Sequence, residues 1–237
     1  MRVQIWSDIV CPWCYIGKRH FEAALAQFPH ADEVELVWRS FELDPGAKPS
    51  GAIAGDYANR LASKYGTSTA EAQQMLDQMT ERAADEGLDF RFELSKPGNT
   101  FDAHRLLHLA LENGRQDDLK EAFDDATFTK GLSVSDHSEL LKVAVGIGLD
   151  EAEVTGVLTT DRYAEAVRQD EAQAQTYGIT GVPFFVIDDK YGISGAQPAE
   201  TILRALTKAW DKRSPLETIR SADGEACNVD DPKSGVC

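Results

Sequence analysis

Two cysteines separated by two residues, in Cys11-Pro12-Trp13-Cys14, carry the sharpest chemical signal in the chain. A thiolate, not a thiol, attacks a disulfide, so a redox cysteine needs surroundings that favour negative charge near neutral pH. Cys11 directly precedes Pro12, a residue favoured at the first helical position. That places its sulfur at a helix N-terminus, where unpaired N–H groups and the positive end of the dipole stabilise an anion. The placement predicts a Cys11 pKa below the free-thiol value of roughly 8.5. Cys14, three residues on, shares its face and can resolve a mixed disulfide formed at Cys11. Trp13 shapes the surface a peptide would meet and, unlike a histidine, offers no cation to the thiolate. The alternatives for an isolated C-x-x-C are half a zinc site or two core cysteines. No second ligand pair stands at suitable range, and the motif sits at a strand-to-helix junction, which favours redox chemistry and no metal.

The remaining cysteines, Cys227 and Cys237, lie among Asp230 and Asp231 near the end of the chain. Neighbouring negative charge raises a thiol pKa, so this pair is expected to be the poorer nucleophile. It is read as an auxiliary redox pair able to relay electrons to Cys11, with a structural clip or a regulatory disulfide as alternatives. His104 and His108 are spaced i, i+4, yet no carboxylate or cysteine accompanies them at ligand spacing, so a packing or surface role is expected. Lys18, two helical turns beyond Cys11, is assigned to a solvated face, and Met75 and Met79 to the core between helices.

The elements that hold the motif are legible around it. Arg2 to Ser7 alternate as a strand, a helix runs from about Pro12 to Gln27 with Cys14, Phe21, Leu25 and Phe28 as its buried stripe, and Val34 to Phe41 form a second strand before the turn signal Asp44-Pro45-Gly46. Residues 49–177 change to helical periodicity, with five to seven helices and start signals at Ser68-x-x-Glu71 and Asp136-x-x-Glu139. Strand character returns at Val182 to Ile187 and Tyr191 to Ser194, a hairpin, followed by a helix from Pro198 to Lys212. Residues 221–237 are acidic and poor in apolar side chains, and are expected to form a mobile tail.

The chain has 237 residues, 24 Lys and Arg against 40 Asp and Glu, and a net charge of -16. Such a surface repels phosphate backbones and anionic lipids, so nucleic acid and membranes are not expected partners. No apolar run is long enough to span a bilayer, and Met1 leads directly into the first strand without an apolar leader, so a cytoplasmic protein is expected. A monomer is the default expectation.

Several segments resemble the DsbA family, most closely its FrnE-like branch of disulfide isomerases: Ser7 to Gly17 around the cysteines, Trp38-Arg39-Ser40-Phe41-Glu42-Leu43, Asn99-Thr100 with Ala103-His104-Arg105, and Thr180-Gly181-Val182-Pro183-Phe184-Phe185. The resemblance covers residues 1 to 212. It implies an α/β thioredoxin fold formed by 1–48 and 178–212, interrupted by a large all-helical insertion over 49–177, with 213–237 as a C-terminal tail. It also implies disulfide exchange on protein thiols and disulfides at Cys11 and Cys14, with no cofactor beyond the redox pair and glutathione or another thiol as a candidate electron partner. Pro183, which composition alone reads as a trans proline opening an edge strand, is implied to be cis and to pack beside the cysteines. Pro12, Trp13, Val182 and Pro183 are then the substrate-binding residues, and the Asn99, Thr100 and His104 segment approaches the groove. Glutathione-linked transferases and isomerases of small molecules share this fold without the cysteine pair, and are the alternative function beside a non-catalytic holdase or binding module.

Overall fold

A computed structural model describes residues 1–48, 57–96 and 98–213. The order of elements is β1 (Arg2–Ser7), α1 (Pro12–Leu25), β2 (Glu35–Ser40), α2 (Tyr57–Tyr65), α3 (Thr69–Asp85), α4 (Phe101–Glu112), α5 (Gln116–Thr129), α6 (His137–Gly146), α7 (Glu151–Thr159), α8 (Ala164–Thr176), β3 (Phe184–Ile187), β4 (Tyr191–Ser194) and α9 (Ala199–Asp211). The sheet order is β2-β1-β3-β4. β1 and β2 are parallel, with Val3 opposite Leu36 and Ser7 opposite Ser40, and β3 is antiparallel to both β1 and β4. Asp188 and Asp189 turn the β3–β4 hairpin with φ of 48° and 52°, a conformation that aspartate tolerates better than most residues.

Helices bury both faces of the sheet. Val3, Ile5, Phe185 and Ile187 pack with Phe21 of α1 and Ile202 and Leu206 of α9. On the other face Trp6 and Val186 pack with Ala174 of α8 and Ile179. The alternation read in β1 suits a half-exposed strand, but Gln4 is buried as well. Its amide is satisfied there: Arg39 donates to Oε1 and Nε2 donates to Asp189.

All seven helices from α2 to α8 lie between β2 and β3. The expected capping box opens α3: Ser68 Oγ accepts from Glu71 N and the Glu71 carboxylate accepts from Ser68 N. At α6 Asp136 caps Ser138 N and Glu139 N, but Glu139 accepts from Ser133 N instead of completing a reciprocal box. α4 is buried on nearly every side and forms the axis of the helical layer with α5, α6 and α7. α8 is fastened to the sheet by Asp170, which accepts from Ser40 N at 2.9 Å and Arg39 Nη1 at 2.9 Å and meets His108 Nε2 at 3.1 Å.

Two expectations are corrected. Lys18 is not on a solvated face: its side chain is 3 % exposed and pairs with Glu22, Asp117 and Glu121, because α5 packs over that turn of α1. Burial would lower its pKa, yet the three carboxylates outweigh this and hold it above the usual lysine value. Met75 is exposed, because the buried stripe of α3 runs through Ala72, Leu76 and Ala83, with Met79 packed at its margin.

Candidate active site

Cys11 is the N-cap of α1, with extended backbone (φ -96°, ψ 108°), and Pro12 opens the helix. Cys14 N donates to Cys11 O at 3.0 Å, fixing the two residues in the first turn. Both cysteines are free thiols and both are buried, Cys11 at 4 % exposure and Cys14 at 0 %. The Cys11 thiol donates to Val182 O across 3.6 Å, and the Val182–Pro183 peptide is cis, as the resemblance implied. The structure therefore brings Cys11, Pro12, Trp13, Cys14, Val182 and Pro183 together. Cys227 and Cys237 lie outside the described residues.

Gly17 permits this assembly. An ideal Cβ at Gly17 would stand 2.9 Å from Pro183 Cγ, so only a residue without a side chain lets α1 approach the proline so closely.

The expected depression of the Cys11 pKa meets opposing influences in the structure. The hydrogen bond with Cys14 acts first, burial second, and the charges of Cys14 and Asp8 add to them; together they push the Cys11 thiol well above its ordinary value. The Cys14 backbone N–H opposes this, as the helix N-terminus predicts.

Asp8 lies under the motif. Its carbonyl accepts from Cys11 N at 3.3 Å, and its carboxylate accepts from Leu43 N at 2.8 Å and meets His104 Nε2 at 3.3 Å. Burial would raise this carboxyl, but His104, the Leu43 N–H and Thr100 together hold it below the usual range. His108 faces Asp170 and Ser40 instead. The two histidines thus serve different carboxylates, and among the described residues no group of three metal-ligating side chains occurs. Asn99 bonds Glu42 and the Pro45 carbonyl.

The start of α2 and the end of α3 reach the same edge of the site. Arg82 of α3 stacks over Trp13, with Cζ 5.4 Å from the ring centroid, and Trp13 is 36 % exposed. Tyr57 of α2 stacks near Phe92, with ring centroids 5.2 Å apart. Its phenol is pushed up to about 12, first by burial and then by the negative charge of Cys11. Sequence reasoning missed Gly17, Tyr57 and Arg82 as parts of the site. Tyr57 and Arg82 come from the helical insertion, and no local spacing links them to the cysteines.

A β1–α1–β2 unit joined to a β3–β4–α9 hairpin unit, with a free dithiol at the start of α1 under a cis-proline loop, defines a thioredoxin-fold protein built for thiol–disulfide exchange. The DSBA-like thioredoxin domain family matches residues 2–207, and the chain belongs to that family of thiol–disulfide oxidoreductases. Among solved structures, the chain is similar to a probable DsbA oxidoreductase from Streptomyces coelicolor, with 52% identity, a TM-score of 0.88 and 97% of each chain covered. It is also similar to the uncharacterized protein YwbO of Bacillus subtilis, at 28% identity over 90% of this chain and 99% of the relative. The cytosolic disulfide reductase DsbM of Pseudomonas aeruginosa shares the fold, with 12% identity, a TM-score of 0.62, and 88% of this chain and 98% of that one covered. Among the described residues no helix is long and apolar enough to cross a membrane.

Proposed function

We propose that the protein reduces and isomerises disulfides of protein substrates through Cys11 and Cys14. The Cys11 thiolate attacks one sulfur of the substrate disulfide, the substrate S–S bond breaks, and the departing thiolate takes a proton from solvent. The Cys14 thiolate then attacks Cys11, which releases the second substrate thiol and leaves Cys11–Cys14 oxidised and the substrate reduced by two electrons. Two equivalents of an external thiol, with glutathione as a candidate, return the dithiol and leave as their own disulfide.

The observation that carries this reading is the position of Cys11: N-cap of α1, one turn from a free Cys14 and 3.6 Å from the Val182 carbonyl at the proline loop. Exposed Trp13 and the Val182–Pro183 ledge offer a surface for an extended peptide. The deep burial of Cys11 favours a second reading, in which small disulfides and not proteins are the substrates. Insulin reduction separates the two. The protein reading expects wild-type turnover of insulin and loss of turnover in Cys11→Ser and Cys14→Ser. Turnover of small disulfides with no reduction of insulin would replace it by the second.

A further inference from the structure

A protein of net charge -16 repels anionic substrates over most of its surface. Its arginines are largely consumed by carboxylates: Arg19 by Glu22 and Glu121, Arg39 by Asp170, Arg105 by Asp102, Arg168 by Glu42 and Glu171. Among the described residues only Arg60, Arg82 and Arg204 lack a carboxylate partner, and Arg204 lies on α9 bonded to Thr201. Arg82 stands at the dithiol edge over Trp13, and Arg60 is one turn along α2 from Tyr57, which packs against the cluster of Tyr15 and Ile16 that follows Cys14. Arg60 lies over the Tyr57 ring, with Cζ 5.4 Å from its centroid, and Arg82 over Trp13 at the same distance. Arg60 Nη2 is buried with no hydrogen-bond partner among the described residues. Glu86, at the end of α3, is already engaged by His20 at 3.0 Å.

A buried guanidinium N–H without an acceptor is costly, so such a group calls for a partner, which water, an ion or a bound carboxylate can supply. A guanidinium whose face rests on a ring keeps its edge free for a carboxylate, which it grips by two parallel hydrogen bonds. Trp13 lies between the cysteines in sequence, and Tyr57 is close enough to feel the charge on Cys11.

We propose that Arg60 and Arg82 form a carboxylate-binding margin of the dithiol site, so that the disulfides this protein exchanges carry an acidic group close to the sulfur. The inference rests on Cys11 as the attacking group and deepens that reading by naming the substrate class. The exchange itself is the two-electron step above. The arginines position the substrate and take no part in proton or electron transfer.

The test is the rate at which pre-reduced protein is oxidised by three probes: anionic glutathione disulfide, neutral hydroxyethyl disulfide and cationic cystamine, read by acid quench and thiol alkylation. Wild type is expected to favour the anionic probe over the neutral one. The ratio of those two rate constants should fall about tenfold in Arg60→Gln/Arg82→Gln and recover at least in part in Arg60→Lys/Arg82→Lys. Peptide disulfides flanked by glutamate or by lysine, run beside these, distinguish an acidic protein segment from a small molecule as the source of the carboxylate. A ratio unchanged in the double glutamine variant overturns the arginine site and leaves the dithiol reading standing. Failure of every probe to oxidise Cys11 overturns both.

Discussion

Replacing Gly17 by alanine tests whether the proline loop must sit where it does. The added Cβ would stand 2.9 Å from Pro183 Cγ and 3.5 Å from Ala196 Cβ. Relaxed carbon contacts lie near 3.5–4.0 Å, so the proline must retreat by about 0.6 Å or more. Its ring is rigid, and the loop is tied down on both sides: Pro183 O accepts from Gly195 N at 2.8 Å, and Val182 O accepts from Cys11. Overpacking of this kind costs about 1–3 kcal/mol, while alanine gains about 1 kcal/mol over glycine inside a helix. The net is a loss of about 0–2 kcal/mol, which for a chain of this size lowers Tm by about 0–8 °C. Gly156, inside α7, has nothing among the described residues within 4 Å of its ideal Cβ, so Gly156→Ala should raise Tm by about 2–4 °C. Shifting the Val182–Pro183 ledge relative to Cys11 should also lower kcat/KM for disulfide reduction by about tenfold, since an ångström of misplacement can cost a hundredfold. Thermal melts and initial rates on both variants are the assay. A Gly17→Ala protein that melts higher than wild type and reduces disulfides at the wild-type rate would refute the reasoning.

Asp170→Ala removes the acceptor shared by Ser40 N, Arg39 and His108 and should cost about 3–5 kcal/mol, seen as a Tm lower by about 6–20 °C; a change under 2 °C would contradict this. Burial would raise the Asp170 carboxyl, but His108, the Ser40 N–H and Arg39 hold it below the usual range. Its contribution should therefore be present above the unfolded carboxyl pKa and be lost as pH falls through the depressed folded value; a wild-type minus Asp170→Ala difference that does not shrink in acid would count against it. Because the Cys11 thiol is raised, its alkylation rate in reduced protein should keep climbing through the free-thiol range, and its stabilising effect should be full below the unfolded pKa and vanish as pH rises through the folded one. An alkylation plateau below pH of about 8 would show a depressed thiol instead. Ser68→Ala breaks the capping box of α3 and should cost about 1 kcal/mol, a Tm fall of about 2–4 °C by melting curve.

Much of this molecule is legible in its sequence because local signals suffice for it. Pro12 after Cys11, the β-rich runs of β1 and β2, and the Ser68-x-x-Glu71 box each act within a few residues, and each appears where expected. The cis Val182–Pro183 bond was implied by resemblance, not by composition. What escaped the sequence depends on long-range packing. Lys18 reads as a surface residue on α1, and only the arrival of α5 with Asp117 and Glu121 makes it a buried cation. Gln4 reads as the outward residue of a strand, and only α8 and Arg39 show that face to be closed. Asp8 and His104 are 96 residues apart, and their pairing follows from α4 being the axis of the helical layer. The surroundings of Cys11 follow the same pattern: the helix N-terminus is visible in sequence, but the contact with Cys14 and the burial that oppose it are not.

The most direct test of Cys11 as the attacking group is trapping. Cys14→Ser protein, mixed with a peptide disulfide and analysed by mass spectrometry without reductant, should accumulate a covalent adduct at Cys11, because the resolving thiol is gone. Cys11→Ser protein should form none and should not reduce the peptide. An adduct on Cys14, Cys227 or Cys237 in place of Cys11, or disulfide reduction undiminished in Cys11→Ser, would contradict the assignment.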